Sequence, residues 1–357
     1  GRGRRYINYI NREAVAADSG TPTEKTFDAG LKFIDRNHGD TNWFLQIETF
    51  DPHEPFQVPD RFQNLYPPSG YEGPTLDWPT YSKQAYGELE LAELNRNYAM
   101  AISYCDEQLG RLLDKFDALD LWADTALIIS TDHGFLLGEH QWTGKSRMPM
   151  FNEIAKIPLF VHDPKAPEHG GSRCTRLTQA TDLMPSILDI FGAEAPSASL
   201  GKSIFPLGNS GPGHEAILYG LFGGAINITD GRYTYFRYPR GENNLFEYTL
   251  MPMHQASLFK ANELKHSILD KGFSFTQEMP VLKIPGLDTA ARPPVQGGGF
   301  ADTETCLYDL EQDSAQKCPI DNPDVEAQMI HMMREILILN EAPDEVYARF
   351  NLGDPVR

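Results

Sequence analysis

Ala126-Leu127-Ile128-Ile129-Ser130-Thr131-Asp132-His133-Gly134 decides the fold. Its apolar start reads as a buried strand, and an acid and an imidazole follow at the strand's C-terminal end. Open α/β sheets collect ligands at that edge. Upstream, Leu91, Leu94, Tyr98, Ile102, Cys105, Leu109, Leu112 and Phe116 recur every three or four residues, which marks one face of a long helix. A helix therefore feeds this strand.

Working outward, Thr21-Pro22-Thr23-Glu24 is a helix start: Thr21 as N-cap, Pro22 at N1, and Glu24 completing a capping box. Phe27, Leu31 and Ile34 follow at helical spacing, and His38-Gly39 ends the helix. Trp43-Phe44-Leu45-Gln46-Ile47 reads as a strand that runs into Asp51-Pro52-His53-Glu54-Pro55, where two prolines forbid continuation. Residues 56–87 form a long irregular loop, a feature that is often functional in a compact domain. Its Tyr66, Tyr71, Trp78 and Tyr81 suit the walls of a site for a sugar or an aryl group. Ile157–Val161 is a second strand, and Thr181–Phe191 a short helix closed by Gly192. Alternating helices and apolar strands predict an α/β domain over residues 1–206, a mostly parallel sheet flanked by helices.

Composition shifts after Pro206. Ile217-Leu218-Tyr219 is a strand, and Ala225–Thr229 with Arg232–Arg237 a hairpin whose Asp230-Gly231 predicts a type I′ turn. Residues 284–303, with Gly297-Gly298-Gly299, read as a flexible excursion. Leu307–Leu310 is one more strand, and Asn322-Pro323 caps a last helix carrying Val325, Met329, Met332, Ile336 and Leu337. Residues 207–357 thus form a smaller α+β domain of antiparallel strands and a terminal helix.

The 357 residues are 41% hydrophobic, enough for a sizeable core, and no apolar run approaches the ~18 residues that span a bilayer. The net charge of −19 argues against nucleic acid as a partner, so an anionic substrate needs a local cluster of positive charge. Cys105, Cys174, Cys306 and Cys318 show no metal spacing. Cys306 and Cys318 are near enough in sequence to pair in an oxidising compartment, though free thiols are the simpler reading.

On chemistry alone, Asp132 offers a hard oxygen to Ca²⁺ or Mg²⁺, and His133 is either a second ligand or a donor to an anion. His53 follows another strand, and Lys145 sits beside Gly144, which leaves its approach open. Strand ends of one sheet can bring His53, Asp132, His133 and Lys145 together. Such a site pairs a cation with an oxyanion, with the metal and Lys145 neutralising charge and His53 donating to an oxygen. Any one of these residues alone is more often a turn, a packed ring or a solvated charge.

Their order matches a family. Ser130-Thr131-Asp132-His133-Gly134-Phe135-Leu136-Leu137-Gly138-Glu139-His140, then Gly144-Lys145, resembles the second signature block of the sulfatases, members of the alkaline-phosphatase-like superfamily. Phe44–Ile47 with Asp51-Pro52-His53-Glu54-Pro55, then Ile157-Pro158-Leu159, Thr181-Asp182-Leu183-Met184-Pro185 and Leu307-Tyr308-Asp309-Leu310, resemble its other elements. The resemblance runs from about residue 20 to 340. It implies that Asp132 and His133 bind a divalent cation, usually Ca²⁺, with Mg²⁺ or Mn²⁺ as alternatives; many relatives carry Asn at the second position. It implies that His53 and Lys145 are catalytic and contact the sulfate, one of them near the leaving-group oxygen. Glu139 and His140 support the site from behind, while Arg147 and His254 are candidates for reaching an anionic substrate or lining its entrance.

The family's nucleophile is a formylglycine made from a Cys or Ser in Cys/Ser-x-Pro-x-Arg, and neither form of that motif occurs in this sequence. The resemblance places the motif, and an Asp-Asp metal pair, upstream of Gly1. The expected partners are therefore a sulfated small molecule or glycan, an N-terminal segment or chain of the same enzyme, and a second copy in a homo-oligomer. The expected function is a sulfuric ester hydrolase acting on a sulfated carbohydrate or aryl ester, with this chain alone inactive. Two readings compete with it: a phosphonate monoester hydrolase or phosphodiesterase of the same superfamily, and a metal-binding module without catalysis.

Overall fold

A computed structural model describes residues 20–146, 148–209, 211, 213–239, 245–251, 253–254, 257–286 and 303–354. Arg147 and most of the Gly-rich excursion, residues 287–302, lie outside the described residues. The chain forms two compact units that interleave in sequence. One holds residues 1–129, 136–144 and 159–167, the other 130–135, 145–158 and 168–357.

The first unit begins with α1 (Pro22–Asn37), and Thr21 Oγ1 accepts the Glu24 N–H at 3.1 Å, the predicted cap. The helix ends where the His38 N–H reaches the Ile34 carbonyl. A two-residue strand, β1 (Ser82–Lys83), precedes α2 (Glu88–Ala118), a helix of 31 residues. Phe27 and Ile34 of α1 pack with Leu112 and Phe116 of α2, and Leu45 and Ile47 close over them. Gly30 gives Ile47 room to close in: a Cβ there would lie 2.5 Å from Ile47 Cδ1 and make that side chain shift.

Residues 43–50 alternate in exposure as a strand would, yet they enter no ladder among the described residues. The predicted strand Trp43–Ile47 is therefore an extended segment. Its alternating pattern is local, whereas strand pairing needs a partner. The expected strand before Asp132 is present as β2 (Leu127–Ser130). Next come β3 (Leu136–Leu137) and β4 (Trp142–Gly144), which make an antiparallel sheet in the order β1-β4-β3.

In the second unit a single helical turn, α3 (Asn152–Ala155), follows the Lys145 segment. The chain then returns to the first unit with β5 (Leu159–His162), which pairs with β2 and is the other strand expected for the α/β sheet. A 3₁₀ turn at Ala180–Asp182 leads into α4 (Leu183–Ile190), and Gly192 ends it at φ +66°. Buried Asp182 accepts from the backbone N–H groups of Gln179 and Lys202, and its carboxylate lies 2.9 Å from His214 Nε2.

The C-terminal part carries β6 (Ile217–Gly220), β7 (Ile226–Thr229), β8 (Tyr233–Arg237), β9 (Phe246–Thr249), α5 (Ala261–Lys265), β10 (Ile268–Asp270), β11 (Val281–Pro285) and β12 (Cys306–Asp309). They form two antiparallel sheets, β12-β8-β7-β6 and β10-β11-β9. The helix α6 (Pro323–Leu339) is capped by Asn322 as predicted, and α7 (Asp344–Phe350) follows it. Met329, Met333 and Leu337 of α6 bury against Ile228, Tyr235 and Leu307 of the sheet.

The β7–β8 turn differs from its prediction. Thr229 pairs with Thr234, so four residues form the loop, and of Asp230 and Gly231 only Gly231 has positive φ, at +94°. Type I′ needs positive φ at both positions. The Asp230 carboxylate instead accepts from the Arg232 and Tyr233 N–H groups, drawing two more residues into the turn. All four cysteines are free, and among the described residues no helix is long and apolar enough to cross a membrane.

Candidate active site

The second unit holds Asp132, His133 and Lys145. Asp132 is exposed at the end of β2, its side chain 83% accessible. Its Oδ1 accepts the His133 N–H at 2.9 Å, while Oδ2 stands 3.6 Å from His133 Nε2. His133 Nδ1 lies 3.0 Å from the Gly134 carbonyl. A carbonyl only accepts, so Nδ1 donates there, and in that tautomer the lone pair is on Nε2, beside the carboxylate.

The loop is pinned from behind. The Gly134 N–H donates to the Ile154 carbonyl at 2.8 Å, and the Phe135 N–H to that of Glu153 at 3.1 Å. A Cβ at Gly134 would sit 1.9 Å from the Glu153 oxygen, so only glycine permits this approach. Gly134→Ala is therefore expected to push the loop off α3, at a cost of roughly 1–3 kcal/mol. Hydrogen exchange at the Phe135 amide checks this, since it should quicken while α6 amides stay protected.

Lys145 is partly buried, its ammonium 5.7 Å from the Phe135 ring centre, a cation–π contact. The segment after it is anchored by buried Met148 and by Gln316. That amide accepts the Asn152 N–H at 2.7 Å and donates to Thr234 Oγ1 at 2.7 Å. The structure thus brings Asp132 and His133 together and places Lys145 against the same loop through Phe135.

Asp132 and His133 fit a divalent cation as two of its ligands: one hard carboxylate, one ring nitrogen with a free lone pair, both accessible. Among the described residues no group of three or more His, Cys, Asp or Glu is placed to hold a metal ion.

His53 belongs to the first unit. Its ring lies over Phe50, with centroids 4.1 Å apart, and Trp78 meets it edge-on at 6.4 Å. Nδ1 is 2.6 Å from the Glu54 carbonyl and 3.4 Å from Glu54 Oε2. Glu54 is buried and takes the Tyr81 hydroxyl on Oε1. Burial and that hydrogen bond push the Tyr81 hydroxyl well above the ordinary tyrosine range. Burial also raises Asp51, which accepts from Thr23. Of the loop aromatics, Trp78 and Tyr81 reach the His53 cluster, whereas Tyr66 bonds Ser103 and packs with Tyr104. The contribution of Glu54 and Tyr81 was not read from the sequence; an acid between His53 and a proline in a rigid turn was the available signal.

Glu139 holds the β3–β4 turn, its carboxylate accepting the Leu137 N–H at 2.6 Å, and His140 follows in a left-handed conformation. His254 is engaged by Glu263 at 2.9 Å and packs on Phe259. Burial and nearby Asp51 push the Cys105 thiol up to about 12, so it is no thiolate nucleophile at neutral pH.

The phosphonate monoester hydrolase of Agrobacterium radiobacter superposes with a TM-score of 0.59 at 18% identity, over 90% of this chain and 60% of that one. The same enzyme from Silicibacter pomeroyi gives 0.57 at 15%, over 90% and 60%. The fold is that of the alkaline-phosphatase-like superfamily. Within it, the Sulfatase family model matches residues 3–193, more than half of the chain, and the chain belongs to the sulfatase family. The N-acetylglucosamine-6-O-sulfatase of Bacteroides thetaiotaomicron is 35% identical over 204 residues, 57% of this chain and 36% of that protein. The multifunctional alkaline phosphatase superfamily protein PehA of Trinickia caryophylli is 34% identical over 119 residues, 33% and 23% respectively. The chain thus spans about a quarter to a third of the length of these two curated relatives.

Proposed function

We propose that this chain contributes the metal- and anion-binding side of a sulfuric ester hydrolase that removes sulfate from a sulfated carbohydrate or an aryl ester. One observation carries the reading: in a chain of the sulfatase family, an exposed carboxylate and an imidazole sit on one pinned loop, and a lysine packs against that loop through Phe135. Asp132 and His133 would hold a divalent cation, Ca²⁺ by the family's habit. Bound there, the cation would neutralise charge on the ester's oxygens.

The roles of this chain's own residues follow from their chemistry. Lys145 is a compact positive charge for a sulfate oxygen, and its apolar stem and Phe135 contact limit where that charge can go. His53 donates to the leaving-group oxygen from Nε2. The family's nucleophile, a formylglycine, completes the reaction in this reading, since its motif is not among these 357 residues. We also place β2 and β5 in the mostly parallel sheet of the superfamily.

A second reading, phosphonate monoester hydrolysis, is favoured by the fold shared with two such enzymes. Rates on p-nitrophenyl sulfate and on a phenyl phosphonate ester, measured on the full-length protein that contains this chain, separate the two. Faster turnover of the sulfate is the expected result, and a strong preference for the phosphonate would overturn the leading reading.

A further inference from the structure

His53 Nδ1 faces two groups that can only accept a hydrogen bond: the Glu54 carbonyl at 2.6 Å and, at 3.4 Å, the Glu54 carboxylate. Both come from one residue, and that residue cannot swing away. Its side chain is 2% exposed, Oε1 takes the Tyr81 hydroxyl, and Pro52 and Pro55 bracket the turn. On the other side Phe50 lies across the ring at 4.1 Å, which fixes its plane. Nε2 meets no partner among the described residues, and the His53 side chain is 30% exposed. The ring is therefore held by one nitrogen and presents the other.

We propose that Glu54, itself held by Tyr81, is a positioning residue that keeps the proton on His53 Nδ1 and makes Nε2 the nitrogen that meets the substrate. The tautomer follows from the acceptors, because the hydrogen bond made by one ring nitrogen decides the state of the other. The carboxylate adds a second effect. It lies 3.4 Å from Nδ1 and so faces the ring at the moment both nitrogens hold a proton. The role rests on the proposed ester hydrolysis. As the bond between the central atom and the leaving oxygen breaks, its electron pair stays on that oxygen. Nε2–H passes its proton there, and the ring returns to neutral with Nδ1–H still on Glu54. The central atom's new bond is to the enzyme's nucleophile.

The arrangement predicts a dependence on the leaving group. A p-nitrophenolate departs without help, whereas a sugar or alkyl alkoxide needs its proton. In the full-length protein, Glu54→Gln keeps the backbone carbonyl, loses the charge and turns one carboxylate oxygen into an amide donor. It is expected to lower kcat on an alkyl or sugar ester by about 10–100-fold, a share of the general-acid contribution. The p-nitrophenyl ester of the same acid should lose less than about threefold on the scale of that effect. Tyr81→Phe should act in the same direction and more weakly. Equal losses on both esters, or no loss on either, would overturn the proposal. The ¹⁵N shifts of His53 in the unsubstituted protein test it without reference to activity. In its neutral form the ring is expected to carry its proton on Nδ1, and a neutral form protonated on Nε2 would refute the assignment even if the variants fail to fold. Should the protein prefer phosphonate over sulfate esters, the leading function falls, while the alkyl-to-aryl comparison is run on phosphonates and still decides the role of Glu54.

Discussion

Replacing Lys145 by alanine is expected to lower kcat/KM for sulfate ester hydrolysis by about 10²–10³-fold, the usual effect of removing one preorganised group aimed at developing charge. The expectation rests on how the side chain is held. Phe135, beneath the ammonium, is fixed through its own N–H to the Glu153 carbonyl, and Met148 buries the chain just beyond Lys145. A charge fixed before substrate arrives needs little reorganisation during the reaction, which is why its loss falls on turnover. Lys145→Arg should not restore the rate, because a planar fork cannot replace a compact ammonium at one point. Steady-state kinetics on the full-length protein, with circular dichroism to confirm folding, make the check. A Lys145→Ala rate within threefold of the unsubstituted protein would remove Lys145 from the site.

Local chemistry was legible in the sequence, and anything that depends on a distant partner was not. The Thr21 and Asn322 caps were readable because cap and amide lie three residues apart. The helix α2 followed from periodicity, although Ile102 of its predicted face is exposed while Met100, Ala101 and Tyr104 are buried, and the position of Asp132-His133 past a strand followed from the apolar run before it. Trp43–Ile47 shows the limit: its alternation is real in the burial pattern, but no described strand pairs with it. The Asp230-Gly231 turn shows another, since the motif was right for a bend and the Asp230 carboxylate selected a longer one. Around His53 the sequence pointed to the imidazole and missed its support, because Tyr81 reaches Glu54 from 27 residues away along an irregular loop.

The largest stability effect is expected at a residue with no catalytic part. Arg237 ends β8 only 5% exposed, and its guanidinium joins three elements. Nε donates to the Phe350 carbonyl at 2.9 Å and Nη2 to that of Asn351 at 2.9 Å, closing the end of α7. Nη1 donates to the Tyr235 hydroxyl at 2.8 Å, and that hydroxyl passes its own hydrogen to Glu326 of α6 at 2.6 Å. Burial, and next the bond to Glu326, push the Tyr235 hydroxyl up to about 12, so it stays protonated and can serve both partners at neutral pH. Arg237→Met fills most of the volume but leaves two helix-end carbonyls and one hydroxyl lone pair in a place water reaches poorly, with the Glu326 charge weakened on one side. Glu326 is partly exposed, so the cost lies mainly in the acceptors that lose their donor, at roughly 1–3 kcal/mol each and about 3–5 kcal/mol in all. At about 2–4 °C per kcal/mol for a body of 150–250 residues, Tm should fall by roughly 6–20 °C. Lys115→Met is the control: its partner Asp35, at 2.6 Å, is about half exposed, and such surface pairs contribute about 0–1 kcal/mol. A Tm change at Arg237 no larger than at Lys115 would show that α7 is held by its apolar contacts alone, through Tyr347, Phe350 and Leu352 in the core beneath the sheet.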